Sequence, residues 1–142
     1  MEFTPGKRNV KITYNGKPFR VQVPKMRCSG KSEYGGIELD MCREFSEFWE
    51  SVDSECREWA DPSLMWRSNI NDGKFRVKID EKTHIFDSNS KLVSCEPNFH
   101  EKIVTCILDI KSVYKFNGYC GITCRVHQIK VHESECQILD SE

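Results

Sequence analysis

The stretch from Lys102 to Val131, KIVTCILDIKSVYKFNGYCGITCRVHQIKV, decides how the fold is interpreted. Residues that favour strands fill both halves, and Asn117-Gly118 lies between them. Asn-Gly favours the positive-φ turn that joins two right-twisted antiparallel strands. The sequence therefore predicts a long β-hairpin. Its first half is either one extended, well-buried strand or a strand with a bulge.

The cysteines and histidines of this hairpin raise the question of a metal site. Alternate residues of a strand face opposite sides, so we expect Cys120, Cys124 and His132 on one face and His127 on the other. Tetrahedral zinc sites are commonly built on close pairs such as Cys-x2-Cys, and the sequence has no such pair. We therefore expect no metal and no cofactor, and we expect Cys106 and Cys124 to pack in the core.

The sequence gives no positive reason to predict an enzyme. It has no phosphate-binding glycine loop and no nucleophile motif around a cysteine. The N-terminus lacks a signal-peptide pattern, and no Asn-X-Ser/Thr acceptor occurs, so the eight cysteines favour a reduced intracellular protein of the nucleus or cytoplasm. No apolar run is long enough to span a bilayer, and we expect no membrane partner.

The rest of the chain predicts a mainly β protein of the α+β class. Asn15-Gly16 lies between two strand-like segments, VKITY and FRVQV. One amphipathic helix is predicted from about Met41 to Ala60, with Asp40 as its cap, because apolar residues recur there at spacings of three and four. Six or seven strands without strand–helix alternation indicate an antiparallel barrel or sandwich with one packed helix. We predict a single binding domain over residues 1–142, with a short acidic tail at about 133–142.

Charge is segregated along the chain although the net charge is only −1. Residues 1–32 carry eight Lys/Arg against one Glu, and residues 102–132 carry five Lys/Arg against one Asp. Residues 38–61 instead carry nine Asp/Glu against two Arg, and the last ten residues add four acidic groups. The folded protein is therefore expected to have a basic face and an acidic face, either of which could bind a partner.

Basic residues alternate with apolar or aromatic ones in several segments. In FRVKI, Arg76 and Lys78 are expected on the outer face, while Phe75, Val77 and Ile79 fill the core. A binding site for single-stranded nucleic acid needs cations along the phosphate backbone. It also needs flat side chains on which unstacked bases can stack. The same alternation is also typical of any half-solvated strand, and both interpretations remain open at this point.

The order of features resembles that of small single-stranded-DNA-binding proteins of large DNA viruses (iridovirus-like) and phages, over about residues 18–132. The segments that carry the resemblance are VQVPKMRCSG, GGIELD, FSEFWESVDSECREWA, LMWRS, FRVKIDEKTHIFDSN, KIVTCILDIKSVYKF and CGITCRVHQIKV. The resemblance implies an OB-like fold, a curved antiparallel barrel that binds a DNA strand across one face without metal or catalysis. It also implies contact with the backbone and little base selectivity, and a host nucleus or viral assembly site as the location.

The candidate DNA-binding residues follow from this resemblance and from the basic and aromatic clusters. They are Arg20, Lys25, Arg27, Tyr34, Arg67, Lys74, Arg76, Lys78, Tyr119 and Arg125. The protein is expected to be a monomer or a homodimer, since small β-proteins often expose sheet edges.

An acidic surface is the basis of an alternative hypothesis. The outward carboxylates of the predicted helix are Glu44, Glu47, Glu50, Asp53, Glu55 and Glu58, and all of these except Asp53 make up the candidate protein-binding face. Such a cluster attracts basic proteins, so a histone H3/H4-binding, chaperone-like β-sandwich is the alternative function. A solvated helix flank is the ordinary explanation of the same carboxylates.

Overall fold

The computed structural model describes residues 1–31, 36–93 and 99–132. These ranges contain eleven strands and one helix. The strands are β1 (Glu2–Pro5), β2 (Asn9–Tyr14), β3 (Lys17–Gln22), β4 (Met26–Lys31), β5 (Gly36–Asp40), β6 (Met65–Arg67), β7 (Ile70–Asn71), β8 (Lys74–Lys78), β9 (His84–Phe86), β10 (Ile103–Phe116) and β11 (Tyr119–Val131). The helix α1 (Arg43–Arg57) lies between β5 and β6.

Five of the strands form a closed barrel. Antiparallel pairs join β10 to β4, β4 to β5 and β5 to β8, a parallel pair joins β8 to β11, and β11 returns antiparallel to β10. The strands β3, β2 and β1 extend the sheet outward from β10. This confirms the predicted mainly β barrel with one helix. The described strands number eleven instead of six or seven. The strands β6 and β7 have only two or three residues and leave no readable alternation, β1 has four residues and ends in proline, and β4 contains Ser29-Gly30, a pair that favours a loop.

Two bulges interrupt the pairing of β10 with β11. On β11, His127 has no partner between the pairs Leu108↔Val126 and Ile107↔Gln128. On β10, Lys111 is the extra residue. The first half of the hairpin is therefore a strand with a bulge, one of the two predicted possibilities. Each extra residue reverses the side-chain alternation beyond it.

The bulge at His127 corrects the predicted arrangement of the hairpin's polar residues. Cys120 and Cys124 are buried, as predicted. The prediction that His132 shares their face is wrong, since the reversed alternation makes Ile129 the next buried residue. The His132 ring forms a hydrogen bond between Nε2 and Oγ1 of Thr105 at 2.7 Å.

The helix packs its apolar face onto β8. Phe45, Trp49, Val52 and Cys56 are buried, and they follow the three- and four-residue spacing that predicted the helix. The ring of Phe75 on β8 meets Phe45 and Trp49 edge-on, with centroid distances of 4.8 and 4.7 Å. Burial of each large side chain stabilises the fold by about 1.5–3 kcal/mol.

Asp40 does not cap this helix, so that prediction is wrong. The N-cap is Cys42, which makes no side-chain capping hydrogen bond. The Asp40 carboxylate instead accepts hydrogen bonds from Lys74 Nζ at 2.7 Å and from Arg27 Nη1 at 2.8 Å. Lys74 is the main reason that the pKa of Asp40 lies below its usual value. Two cations hold this carboxylate in the sheet, where it is not free to turn towards the helix.

The cysteines behave as small apolar residues. Among the described residues the free thiols are Cys28, Cys42, Cys56, Cys106, Cys120 and Cys124. All of these except Cys42 are buried. Burial raises the pKa of Cys56 to about 12 and raises the pKa of Cys106 and Cys124 as well, so these thiols are protonated at neutral pH.

A charged clamp reinforces the seam at which the barrel closes. The parallel pairing of β8 with β11 consists of the register pair Arg125↔Lys78. Arg125 donates from Nε and Nη2 to the two carboxylate oxygens of Asp80 at 2.9 and 2.8 Å. These hydrogen bonds lower the pKa of Asp80 to about 2. The clamp therefore ties β11 to the residues that follow β8.

Replacing Asp80 by Asn is expected to lower the free energy of unfolding at pH 7 by about 1–2 kcal/mol, because charge-assisted hydrogen bonds are lost from a partly exposed pair. A carboxylate with a depressed pKa contributes stability above its unfolded pKa of about 3.9, and this contribution disappears as the pH falls through the folded pKa near 2. Denaturant titrations from pH 7 to pH 2 should show the wild-type advantage shrinking below about pH 4.

The matched control is Glu81→Gln, which neutralises an exposed carboxylate next to Asp80. It should change stability little at any pH. A difference between wild type and Asp80→Asn that stays constant down to pH 2 would contradict the clamp.

Candidate nucleic-acid interface

A concave groove of about 990 Å³ lies beside the turn of the β10–β11 hairpin. Its lining residues are Arg8, Asn9, Arg67, Lys78, Lys111, Ser112, Tyr114, Lys115, Phe116, Asn117, Tyr119 and Thr123. We call it the basic groove. Its long wall is the outer face of the hairpin, the face opposite the buried side chains of β10 and β11.

The groove is assembled from strands that are distant in sequence. Asn9 on β2 pairs with Tyr114 on one side of the hairpin. On the other side, Arg67 on β6 pairs with Gly121. Lys78, at the end of β8, reaches the same side through the closing seam of the barrel. The site therefore exists only once both the barrel and the outer sheet have formed.

Among the residues that the structure describes, the basic groove is lined by five cations and by no carboxylate. The cations are Arg8, Arg67, Lys78, Lys111 and Lys115. In the described part of the chain, four of these cations have no carboxylate within 4.0 Å. The fifth, Lys115, lies 4.0 Å from the carboxylate of Asp61. The groove therefore has a positive potential that is largely uncompensated and attracts anions.

Aromatic rings form part of the same surface. The guanidinium of Arg67 lies 3.9 Å from the centre of the Tyr119 ring, a cation–π contact that fixes both side chains. Phe116 is 69% exposed, which is unusual for so large an apolar side chain. An exposed ring next to unpaired cations is an arrangement that can receive an unstacked base.

Gly121 sets the position of the third ring. A Cβ atom at Gly121 would lie 2.6 Å from the Tyr114 hydroxyl oxygen and 2.8 Å from two of its ring carbons. The Tyr114 side chain therefore lies directly against the backbone of β11, where only glycine leaves room. Burial raises the pKa of Tyr114, so its hydroxyl is a neutral hydrogen-bond donor at pH 7.

Of the candidate DNA-binding residues, three come together in this groove. They are Arg67, Lys78 and Tyr119. Arg20 lies outside it, exposed on β3, with Nε 4.0 Å from a carboxylate oxygen of Asp109. Lys25 lines a different groove on the same hairpin. Tyr34 lies outside the described residues.

The other four predicted cations are held by carboxylates. Lys74 and Arg27 share Asp40, and Arg27 also contacts Glu101. The Nε of Arg76 lies 2.8 Å from a Glu38 oxygen. Arg125 is the clamp residue that binds Asp80. Arg76 and Lys78 share the outer face of β8 as predicted, but their electrostatic surroundings differ.

Several groove residues escaped the sequence analysis. Lys115 and Phe116 directly precede the Asn117-Gly118 turn, and that proximity is the signal that could have identified them. Lys111 lies at a bulge, which alternation cannot locate. Arg8 precedes β2 and carries no local signal.

The exposed carboxylates of the helix fit both a solvated flank and the alternative protein-binding face. Asp53 departs from the predicted outward orientation, since its side chain is 17% exposed and its carboxylate accepts hydrogen bonds from Arg57 Nε and Trp66 Nε1. The carboxylates proposed for the alternative function, Glu44, Glu47, Glu50, Glu55 and Glu58, are all exposed. Glu47 lies 3.5 Å from Arg43 on the same helix. The acidic tail lies outside the described residues.

The residues that the structure describes contain neither a candidate metal site nor a membrane-spanning helix. No group of three or more His, Cys, Asp or Glu side chains there could hold a metal ion. In the same ranges, no helix has the length and apolar character needed to cross a bilayer.

A closed five-strand barrel with extra strands, one packed helix and a groove beside its last hairpin is an OB-like architecture. The fold is similar to the solved structure of the single-stranded DNA-binding protein from bacteriophage Enc34, with a TM-score of 0.63 over 94% of this chain and 91% of that chain. The two sequences are 13% identical, so the similarity concerns the fold. It confirms the OB-like resemblance. No protein-family model matches the sequence, and no curated protein matches it significantly.

Replacing Gly121 by Ala is expected to displace the Tyr114 ring and to lower the free energy of unfolding by about 1–3 kcal/mol, the usual cost of overpacking. Chemical denaturation of the variant measures the loss. In a Tyr114→Ala background the obstacle is gone, and Gly121→Ala should then be neutral or slightly stabilising. Equal effects in both backgrounds would contradict the close contact.

Proposed function

We propose that this chain is a non-enzymatic binding module that holds single-stranded DNA in the basic groove. The observation that carries the proposal is a groove on an OB-like barrel whose described lining has five cations, an exposed aromatic ring and no carboxylate. The fold neighbour, named as a single-stranded DNA-binding protein of a phage, supports the same class of ligand.

The cations supply affinity by replacing the counterions of the phosphate backbone. Lys78, Lys111 and Lys115 are exposed along the groove, and Arg8, which precedes β2, adds a further charge to its lining. For single strands each phosphate contact contributes about −0.7 to the slope of log K against log salt. Binding is therefore expected to weaken steeply as the salt concentration rises.

The aromatic residues supply preference for single strands. Phe116 and Tyr119 can stack on bases only when those bases have left a duplex, so duplex DNA should bind more weakly. Stacking uses the flat face that every base has, and little base selectivity is expected.

The rest of the basic surface is a weaker candidate for phosphate binding. On the β5–β8 face, Arg76 pairs with Glu38, and Lys74 pairs with Asp40. A phosphate there would have to displace a carboxylate from each cation and would meet that carboxylate's negative charge. The unpaired cations of the basic groove carry no such cost.

The double variant Lys78→Ala/Lys111→Ala is expected to bind oligo(dT) at least about tenfold more weakly and to reduce the salt slope by about 1.4, because two phosphate contacts are lost. Fluorescence anisotropy of a labelled strand at several salt concentrations measures both quantities. The matched control is Lys17→Ala/Lys82→Ala, which removes the same charge at exposed positions outside the groove. Equal losses in the two double variants would contradict binding in the groove.

Replacing Phe116 by Ala should cost about 1–3 kcal/mol of binding free energy, the usual contribution of one stacked base. Phe116→Trp should retain affinity, since it keeps a flat ring. The control Leu92→Ala removes another exposed apolar side chain, 64% exposed and outside the groove, and should leave binding unchanged. On a strand made of abasic sites, Phe116→Ala should lose nothing further. An equal loss on abasic and ordinary strands would exclude stacking.

A further inference from the structure

A second groove, of about 490 Å³, lies further along the same hairpin, towards its open end. The residues of its lining that matter most here are Gln22, Lys25, Phe86, Gln128, Lys130 and His132. As in the basic groove, no carboxylate lines it among the residues that the structure describes. Such a lining suits a nucleotide. Cations can contact its phosphate, amides can bind the edge of its base, and an aromatic ring can stack on the face of its base.

The two bulges place both grooves on one face of the hairpin. Ser112 lines the basic groove and Ile107 lines the second groove, five positions apart on β10. In unbroken alternation, residues five apart face opposite sides. The extra residue Lys111 reverses the alternation between them, and His127 does the same between Thr123 and Gln128 on β11. The outer face is therefore continuous from one groove to the other.

On β10 and β11 between the grooves, Asp109 is the carboxylate that the described residues place there, and it is paired. Asp109 is 7% exposed and lies within 4.0 Å of both Arg20 and Arg125. Asp80 in turn is held by Arg125. Five strand residues correspond to about 17 Å, so the junction between the grooves is short. A DNA strand could cross it without meeting a negative charge that lacks a partner.

Positive charge also marks the far end of this path. Burial, together with the nearby cations Lys25 and Lys130, lowers the pKa of His132, so this ring is neutral at pH 7. The two lysines are therefore the cations available for phosphates there.

We propose that single-stranded DNA leaving the basic groove continues along the outer face of the hairpin and that the second groove is a further nucleotide-binding subsite. Lys25 and Lys130 contact phosphates, and the amides of Gln22 and Gln128 donate to and accept from base edges. This inference rests on the proposed function of the basic groove. It specifies the path of the DNA strand beyond the basic groove, and it makes binding affinity depend on the length of the DNA.

Oligonucleotide length separates the two grooves experimentally. A strand of about 4 nucleotides, at the short end of what one OB-like barrel binds, can occupy the basic groove alone, whereas one of about 16 can reach both grooves. The variant Lys25→Ala/Lys130→Ala should weaken binding of the long oligo(dT) at least about fivefold and change binding of the short one less than about twofold. Lys78→Ala/Lys111→Ala should weaken both. The control Lys17→Ala/Lys82→Ala should weaken neither.

Every outcome of this comparison is informative. Unchanged affinity of Lys25→Ala/Lys130→Ala for the long strand would overturn the second subsite and leave the basic groove intact. Equal weakening for short and long strands would also overturn it, because the second groove would then not extend the first. If Lys78→Ala/Lys111→Ala bound both oligonucleotides with unchanged affinity, the proposed function itself would be refuted.

Discussion

The long antiparallel pairing of β10 with β11 is the constraint on which the rest of the structure depends. The two strands are 14 and 13 residues long, and between them they pair with every other barrel strand except β5. Their inner faces supply core residues, and their outer faces supply both grooves. The two bulges reconcile these roles. Without Lys111 and His127 as extra residues, side chains that line one groove would point into the barrel at the other.

Ion pairing divides the basic surface into two kinds of region. Near β4, β5 and β8, carboxylates such as Glu38 and Asp40 neutralise the cations and hold neighbouring strands together. Around the hairpin turn, most cations have no carboxylate within 4.0 Å among the described residues. A chain with a net charge of −1 can therefore carry a strongly positive groove, since much of its negative charge belongs to the helix, to the last ten residues of the sequence and to structural pairs. Net charge alone is a poor guide to a nucleic-acid ligand in such a protein.

Much of the fold could be predicted because local rules specified it. Asn15-Gly16 and Asn117-Gly118 predicted turns, and both residues of each pair have positive φ in the structure. The apolar spacing of the helix predicted its buried face. What could not be predicted depends on tertiary contacts. Asp40 had a capping position but binds two cations from other strands, and the bulges leave no mark on the sequence. The candidate site was predicted only in part. Whether a cation is left to bind a phosphate depends on carboxylates that are distant in sequence. Arg67 and Lys78 lack such carboxylate partners among the described residues, whereas Arg76 has Glu38.

The central claim is that single-stranded DNA lies on the outer face of the β10–β11 hairpin. Titrating isotope-labelled protein with oligo(dT) and following its backbone amide resonances by NMR tests this most directly. If DNA lies on this face, the largest shifts occur at Ser112, Gly121 and Thr123, with smaller ones towards Gln128 for longer strands. Shifts confined to the β5–β8 face around Glu38, or to the acidic helix α1, would contradict it.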